Sequence, residues 1–223
     1  MKRIAFFDLD GTLIDGDSES AWSHFLVRQG LDYMRGIEHY QDLYARGQLD
    51  MDEYMQFQLQ ALAREDWSAM LAWRTEYLGL ELRHRVRRAA LERIAAHRAR
   101  GDLVVLASAS HDFIAEAIAQ ELGFEECLVT TCERKAGRYT GRLAGQPCFR
   151  EGKLSAVERW LDARGLSLSE LDESWFYSDS HNDLPLLAAV SHPVCVTPDE
   201  RLRERAVRES WTVLEREHWG LLA

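Results

Sequence analysis

Residues 6–17 read FFDLDGTLIDGD. An apolar run ends at Phe7, and Asp8, Asp10, Asp15 and Asp17 follow within ten residues. Carboxylates this close repel one another, and one is driven to protonate unless something offsets the charge. Two offsets are common: a bound cation, or a proton shared within a catalytic pair. A second acidic stretch, SDSHNDLPLL at 178–187, adds Asp179 and Asp183. Asp8, Asp10, Asp179 and Asp183 form an oxygen-only donor set. Such a set selects a hard cation, usually Mg2+ where phosphate shares the site. Other residues point to phosphate. Gly11 and Thr12 follow Asp10 in a tight turn whose N–H groups could cradle an anion. Ser108 closes the apolar run VVLAS and offers a hydroxyl. Lys153 begins EGKLSAVERWL, where it opposes the positive end of a helix dipole unless an anion binds there. Each feature also has an ordinary structural role, as a turn, a strand end, a solvated lysine or a helix cap. Their joint placement at the ends of separate strands marks a site.

The elements that carry these residues follow from periodicity. Residues 3–7, RIAFF, read as a strand buried on both faces. From 17 to 84 the spacing is helical, through Trp22, Phe25 and Leu26, then Met34, Ile37 and Tyr44, with a stop at Gly47. Asp50 followed by Glu53 opens a third helix, and a fourth runs from Trp67 to Leu78. Ten of the 22 aromatic residues fall in this stretch, enough to predict a small core of its own. After residue 85 strands and helices alternate. Strands are predicted at 102–108, 127–131, 175–179, 193–197 and 211–215, with a hairpin within 137–143. Helices are predicted near 86–99, 111–122, 152–164, 183–189 and 199–208. This rhythm predicts an α/β fold: a Rossmann-like, mainly parallel sheet with helices on both faces, plus an inserted helical-bundle cap. The core spans 1–16 and 85–223, and the cap spans 17–84. Ligands in such sheets bind at the carboxyl ends of the strands.

Composition narrows the function. The chain has 223 residues, 46% of them hydrophobic, so it can bury a proper core. Lys and Arg number 27 against 37 Asp and Glu, a net charge of −10. That balance disfavours nucleic acid and anionic membranes as partners. The apolar run before Asp8 is too short for a signal peptide, and no stretch is long enough to span a bilayer. The four cysteines show no C-x-x-C spacing, which fits free thiols in a reducing cytoplasm. The eight histidines lack zinc-site spacing.

The sequence resembles the haloacid dehalogenase-like phosphohydrolases, in particular the branch that contains the phosphoserine phosphatases. D-x-D-G-T is met by Asp8 to Thr12, the strand-end hydroxyl by Ser108, the downstream lysine by Lys153, and the acidic motif by SDSHNDLPLL. The likeness spans essentially the whole chain. It implies that Asp8 is the nucleophile, forming an aspartyl-phosphate, and that Asp10 is the general acid and base. It implies Mg2+ held by Asp8, the Asp10 carbonyl and Asp179, with Asp183 orienting its waters. It implies phosphate held by Gly11, Thr12, Ser108, Ala109, Lys153 and Asn182.

The same resemblance bears on substrate. In the phosphoserine phosphatases a carboxylate near Asp17 holds the substrate ammonium, and a cap arginine holds its carboxylate. Here Gln58 stands at the arginine's place. A neutral amide is a poor partner for a carboxylate. Asp17 and Glu19 beside Gln58 therefore favour an amino alcohol phosphate without an acid, and histidinol phosphate fits. Asp17 has a second reading, as a simple cap of the first cap helix. The expected function is a Mg2+-dependent phosphomonoesterase of a small phosphorylated metabolite, acting as a monomer or homodimer. Phosphoserine phosphatase and phosphotransferase are the enzyme alternatives. A phosphate-binding module is the non-enzyme one.

Overall fold

The structure, a computed structural model, describes residues 2–215 and Trp219. Residue 1 and the expected end of the core, 216–218 and 220–223, lie outside the described residues. Strand β1 (Arg3–Phe7) alternates between two cores. Ile4 and Phe6 enter the cluster on one side of the sheet, and Ala5 and Phe7 enter the cluster on the other. Burial on both faces is why the strand reads as an unbroken apolar run.

Four helices follow: α1 (Ser18–Arg28), α2 (Met34–Ala45), α3 (Met51–Arg64) and α4 (Trp67–Tyr77). The caps are those the sequence predicts for α1 and α3. Asp17 accepts from the Ser20 N–H at 2.6 Å, and Asp50 accepts from the Glu53 N–H at 3.0 Å. Each satisfies one of the helix's orphan amides. A π turn, Leu78–Leu82, leads back to α5 (Arg88–Ala99).

The remaining elements are β2 (Leu103–His111), α6 (Asp112–Glu121), β3 (Glu126–Thr130), β4 (Cys132–Lys135), β5 (Arg138–Leu143), α7 (Glu151–Asp162), β6 (Glu173–Ser178), α8 (Leu184–Leu187), β7 (His192–Val196), α9 (Glu200–Glu209) and β8 (Thr212–Leu214). Six strands form one sheet in the order β3-β2-β1-β6-β7-β8, and every pairing in it is parallel. Phe7 lies opposite Leu106 of β2 and Tyr177 of β6. The carboxyl ends of the three central strands therefore open side by side.

Three details depart from the predicted layout. Strand β2 runs on past Ser108 to His111, with a register shift against β3 between Ala107 and His111. The hairpin begins earlier, with β4 as its first arm and Ala136–Gly137 at its turn, both at positive φ. The aromatic residues of the helical stretch have no core of their own. Trp22 lies 6.0 Å from Phe113 of α6, Trp67 lies 5.7 Å from Tyr139 of β5, and both belong to the cluster that covers one face of the sheet. An amphipathic helix buries its stripe against whatever apolar surface it meets, and here that surface includes α6 and the hairpin. No helix among the described residues is long and apolar enough to cross a membrane.

Candidate active site

Asp8 leaves β1 with its backbone N–H bonded to the Tyr177 carbonyl at 2.9 Å, so its position is set by the central sheet pairing. Its carboxylate accepts from Lys153 Nζ at 2.8 Å. Lys153, on the first turn of α7, is 2% exposed and also lies 2.8 Å from Asp183. Burial alone would strip the ammonium of its proton; the charges of Asp183 and Asp8 outweigh it and hold the lysine protonated. Burial raises Asp8 to about 7, with Lys153 working the other way and Asp183 and Asp10 adding to the rise.

Asp10 points elsewhere. One carboxylate oxygen accepts from the Ser18 N–H at 2.6 Å and the other from the Ser110 hydroxyl at 2.8 Å. Seclusion in the cavity lifts it to about 7, and the nearby charge of Asp17 adds to this. A carboxyl poised there can hold a proton at neutral pH and give it up.

Asp179 follows β6. Burial pushes it well above the usual carboxylate range, and Asp8 and Asp183 add to the push. Thr12 donates to it at 3.3 Å. Gly11 (φ +69°) makes room for it, since a Cβ there would fall 2.0 Å from its Oδ2. Asn182 accepts from Arg150 Nε at 3.0 Å and faces the same space.

These side chains line a cavity of about 500 Å³ between the strand ends and the helices. Among the described residues its acidic members are Asp8, Asp10, Asp17, Glu19, Asp179, Asp183 and Asp199, and its basic member is Lys153. Asp17 caps α1 and also lines the cavity, so the two readings of it are not exclusive. Glu19, 3% exposed, also faces it and accepts from the His111 N–H at 2.8 Å. Gln58 is on the wall with both ends of its amide engaged. Its carbonyl accepts from Ser23 at 2.7 Å and its NH2 donates to Tyr54 at 2.7 Å.

Some expected roles do not survive the geometry. The Gly11 N–H is spent on the Gly16 carbonyl at 3.0 Å and the Thr12 N–H on the Leu9 carbonyl at 3.3 Å, so the turn offers neither to an anion. Thr12, fully buried, serves Asp179 instead. Ser108 lies behind the wall, its hydroxyl accepting from the Ser110 N–H at 3.1 Å, while Ala109 and Ser110 face the cavity. Asp8, Asp10, Asp179 and Asp183 all line the cavity, and the carboxylates of Asp10 and Asp183, expected to serve by a backbone carbonyl and through water, have partners of their own. Asp10 is turned to Ser18 and Ser110, and Asp183 accepts from Lys153 and from Ser178 at 2.7 Å. Among the described residues no three acidic, histidine or cysteine side chains form a closed metal cage.

Sequence reasoning missed Ser110, Tyr54, Tyr40, His111 and Arg150. Ser110 was findable, two residues beyond Ser108 on the same extended run. The aromatic pair was not, because α2 brings Tyr40 to within 5.5 Å of Tyr54 only in the folded chain.

A family model of the haloacid dehalogenase-like hydrolases matches residues 5–188. A Neisseria meningitidis protein described as a histidinol-phosphatase is 35% identical over 220 residues, spanning 96% of this chain and 99% of its own. A crystal structure of a Bordetella pertussis protein of unknown function superposes with a TM-score of 0.92 at 38% identity, covering 96% of this chain and 98% of that one. A substrate-bound phosphoserine phosphatase superposes with a TM-score of 0.68 at 16% identity, over 96% of this chain and 93% of that one, and so shares the fold.

Proposed function

The chain belongs to the haloacid dehalogenase-like hydrolases and is a phosphatase, and from that premise we propose that it hydrolyses histidinol phosphate through an aspartyl-phosphate on Asp8. The observation that carries the substrate reading is the charge of the cavity. Beyond Lys153, which is held by Asp8 and Asp183, no cation among the described residues lines it. A substrate carboxylate would enter without a partner and against acidic walls. Gln58 cannot turn to meet it, because both ends of its amide are bonded. A cationic, acid-free phosphate monoester meets Asp17 and Glu19 instead. The Neisseria relative's description supports the same substrate.

In this mechanism the Asp8 carboxylate attacks phosphorus while the bond from phosphorus to the ester oxygen breaks. Asp10 gives its proton to that departing oxygen, which leaves as the alcohol. The Asp10 carboxylate then takes a proton from water as the water attacks the aspartyl-phosphate, releasing inorganic phosphate and restoring Asp8. Lys153 holds Asp8 and balances the charge of the phosphoryl oxygens. Residues 17–84 act as a cap that excludes bulk water and large substrates.

A divalent cation fits the donors present. Asp8 and Asp179 are hard oxygen ligands; burial raises the pKa of both, and the charge of Asp183 adds to each rise. With the Asp10 carbonyl they would hold Mg2+. When bound, Mg2+ supplies charge neutralisation between the carboxylates and the phosphoryl group.

The test is phosphate release with Mg2+ from a panel of phosphorylated metabolites. Histidinol phosphate is expected to exceed phosphoserine in kcat/KM by at least about tenfold, the worth of one charge-assisted contact. A panel led by phosphoserine or by an anionic sugar phosphate overturns the substrate assignment.

A further inference from the structure

The part of the cavity wall that α1 and α3 supply holds a second acidic group with an unusual surround. Glu19 is 3% exposed. Its Oε1 accepts from the His111 N–H at 2.8 Å, and the Tyr54 hydroxyl lies within hydrogen-bonding reach of the same carboxylate. The direction of the Tyr54 bond follows from its neighbours. Ser23 donates to the Gln58 carbonyl at 2.7 Å, which turns the Gln58 NH2 toward Tyr54. The Tyr54 oxygen accepts that N–H at 2.7 Å, and its own proton is left for Glu19. Ser23, Gln58 and Tyr54 thus form a one-way relay of donors that ends on Glu19.

Both donors favour the Glu19 anion, but burial first and then the charges of Asp17 and Asp10 outweigh them and push its pKa well above the usual carboxylate range, and nothing among the described residues neutralises it. Its one charged-type neighbour within ion-pair range is His111 Nε2, at 4.0 Å. The His111 ring is fully buried with neither nitrogen bonded, and burial lowers its pKa to about 4, so it stays neutral. A buried carboxylate with two donors and no cation calls for a positive or N–H-bearing partner from outside the chain. The wall beside it is aromatic: Tyr54 and Tyr40 stand 5.5 Å apart edge to face, and Phe57 is 5.0 Å from Tyr40. Such a wall suits a flat ring, above all one that shares a positive charge.

We propose that Glu19 determines specificity by binding a ring N–H of the substrate, a heteroaromatic base lying along Tyr54 and Tyr40, while Asp17 takes the primary ammonium. This deepens the function proposed above and rests on it for the place of the phosphate. It divides recognition between two carboxylates: Asp17, at the helix cap, reads the amine, and Glu19, at the end of the relay, reads the ring.

The test separates the two assignments. Hydrolysis of p-nitrophenyl phosphate by the whole chain with Mg2+ is inhibited with histamine, which has an ammonium and an imidazole, and with propylamine, which has the ammonium alone. Wild type is expected to bind histamine at least about tenfold more tightly. Glu19→Gln keeps an acceptor for His111 and Tyr54 but loses the charge, and should remove most of that tenfold difference. Tyr54→Phe, which deletes only the donor aimed at Glu19, should weaken histamine severalfold more than propylamine and serves if Glu19→Gln folds poorly. Equal shifts for the two amines, or none, in whichever variant folds overturn the assignment. Histamine selectivity that depends on Glu19 supports it even if histidinol phosphate fails in the substrate panel, and that outcome overturns the substrate alone.

Discussion

The two ends of the cavity are built on different principles. At the end that the proposed function gives to phosphate, Asp8 and Asp179 follow parallel strands and Lys153 opens α7, and their positions follow from main-chain pairing with Tyr177 and from a buried ammonium between Asp8 and Asp183. At the distal end Glu19, Gln58 and Tyr54 stand on α1 and α3, and their positions follow from side-chain hydrogen bonds. A sheet holds reacting atoms to the tolerance that chemistry demands. Helices joined by side-chain relays can change their contacts without disturbing that geometry, so selectivity can vary where reactivity must not. The contrast predicts that substitutions at the strand ends act on kcat, and that those on the helices act on selectivity.

The largest effect is expected at the strand end. Asp8→Asn should lose on the order of 10⁴-fold in kcat, because an amide cannot form the aspartyl-phosphate. It should fold with an equal or higher Tm, since it removes one of several crowded carboxylates. Rapid-quench detection of a phosphorylated enzyme in wild type, absent in the variant, checks the step. Substantial turnover by the variant breaks the division between the two ends.

A smaller effect sharpens the electrostatic side of the comparison. Asp8 and Asp10 are raised from 3.8 to about 7 in the folded chain. The folded state therefore binds protons more tightly than the unfolded one. That contribution to stability is fully present below pH 3.8 and is lost as pH rises through about 7. Under the proposed function, Mg2+ between Asp8 and Asp179 would offset the repulsion that remains. The rise in Tm on adding Mg2+ should thus be larger at pH 8 than at pH 5, by a few degrees. Calorimetry at the two pH values decides it, and an equal rise at both contradicts the cause given for these shifts.

The smallest effect belongs to the relay. Ser23→Ala leaves the Gln58 carbonyl buried and unpaired at a cost of about 1–2 kcal/mol. Tm should fall by a few degrees. With Gln58 free to turn, Tyr54 no longer aims its proton at Glu19, and the preference for histamine over propylamine should drop by about twofold. A loss of kcat approaching that of Asp8→Asn would mean that the helices share in the chemistry and would dissolve the comparison.

How much of this was legible beforehand depends on range. The strand run RIAFF, the glycine of D-x-D-G-T, the caps Asp17 and Asp50, and the strand-helix rhythm after residue 85 are local signals, and the structure follows them. Each depends on a period of two or 3.6, or on a side chain bonding its own backbone. Roles that depend on who meets whom were legible only in part. Asp179 and Asp183 lie four residues apart in one motif, yet Asp179 turns to Asp8 and Gly11, and Asp183 turns to Lys153 and Ser178. Gln58 stood out for its missing charge, but the sequence held no sign that Ser23 and Tyr54 would lock its amide.

By itself, then, the sequence determined the parallel α/β framework, the family and the set of residues that crowd the strand ends, because apolar periodicity and motif spacing are properties of the chain. The tertiary structure alone decided the division of labour within that set. A carboxylate's role depends on which donors reach it and on how much water is removed. Those are set by contacts such as Lys153 with Asp8 across 145 residues and Glu19 with His111 across 92, which no local pattern encodes.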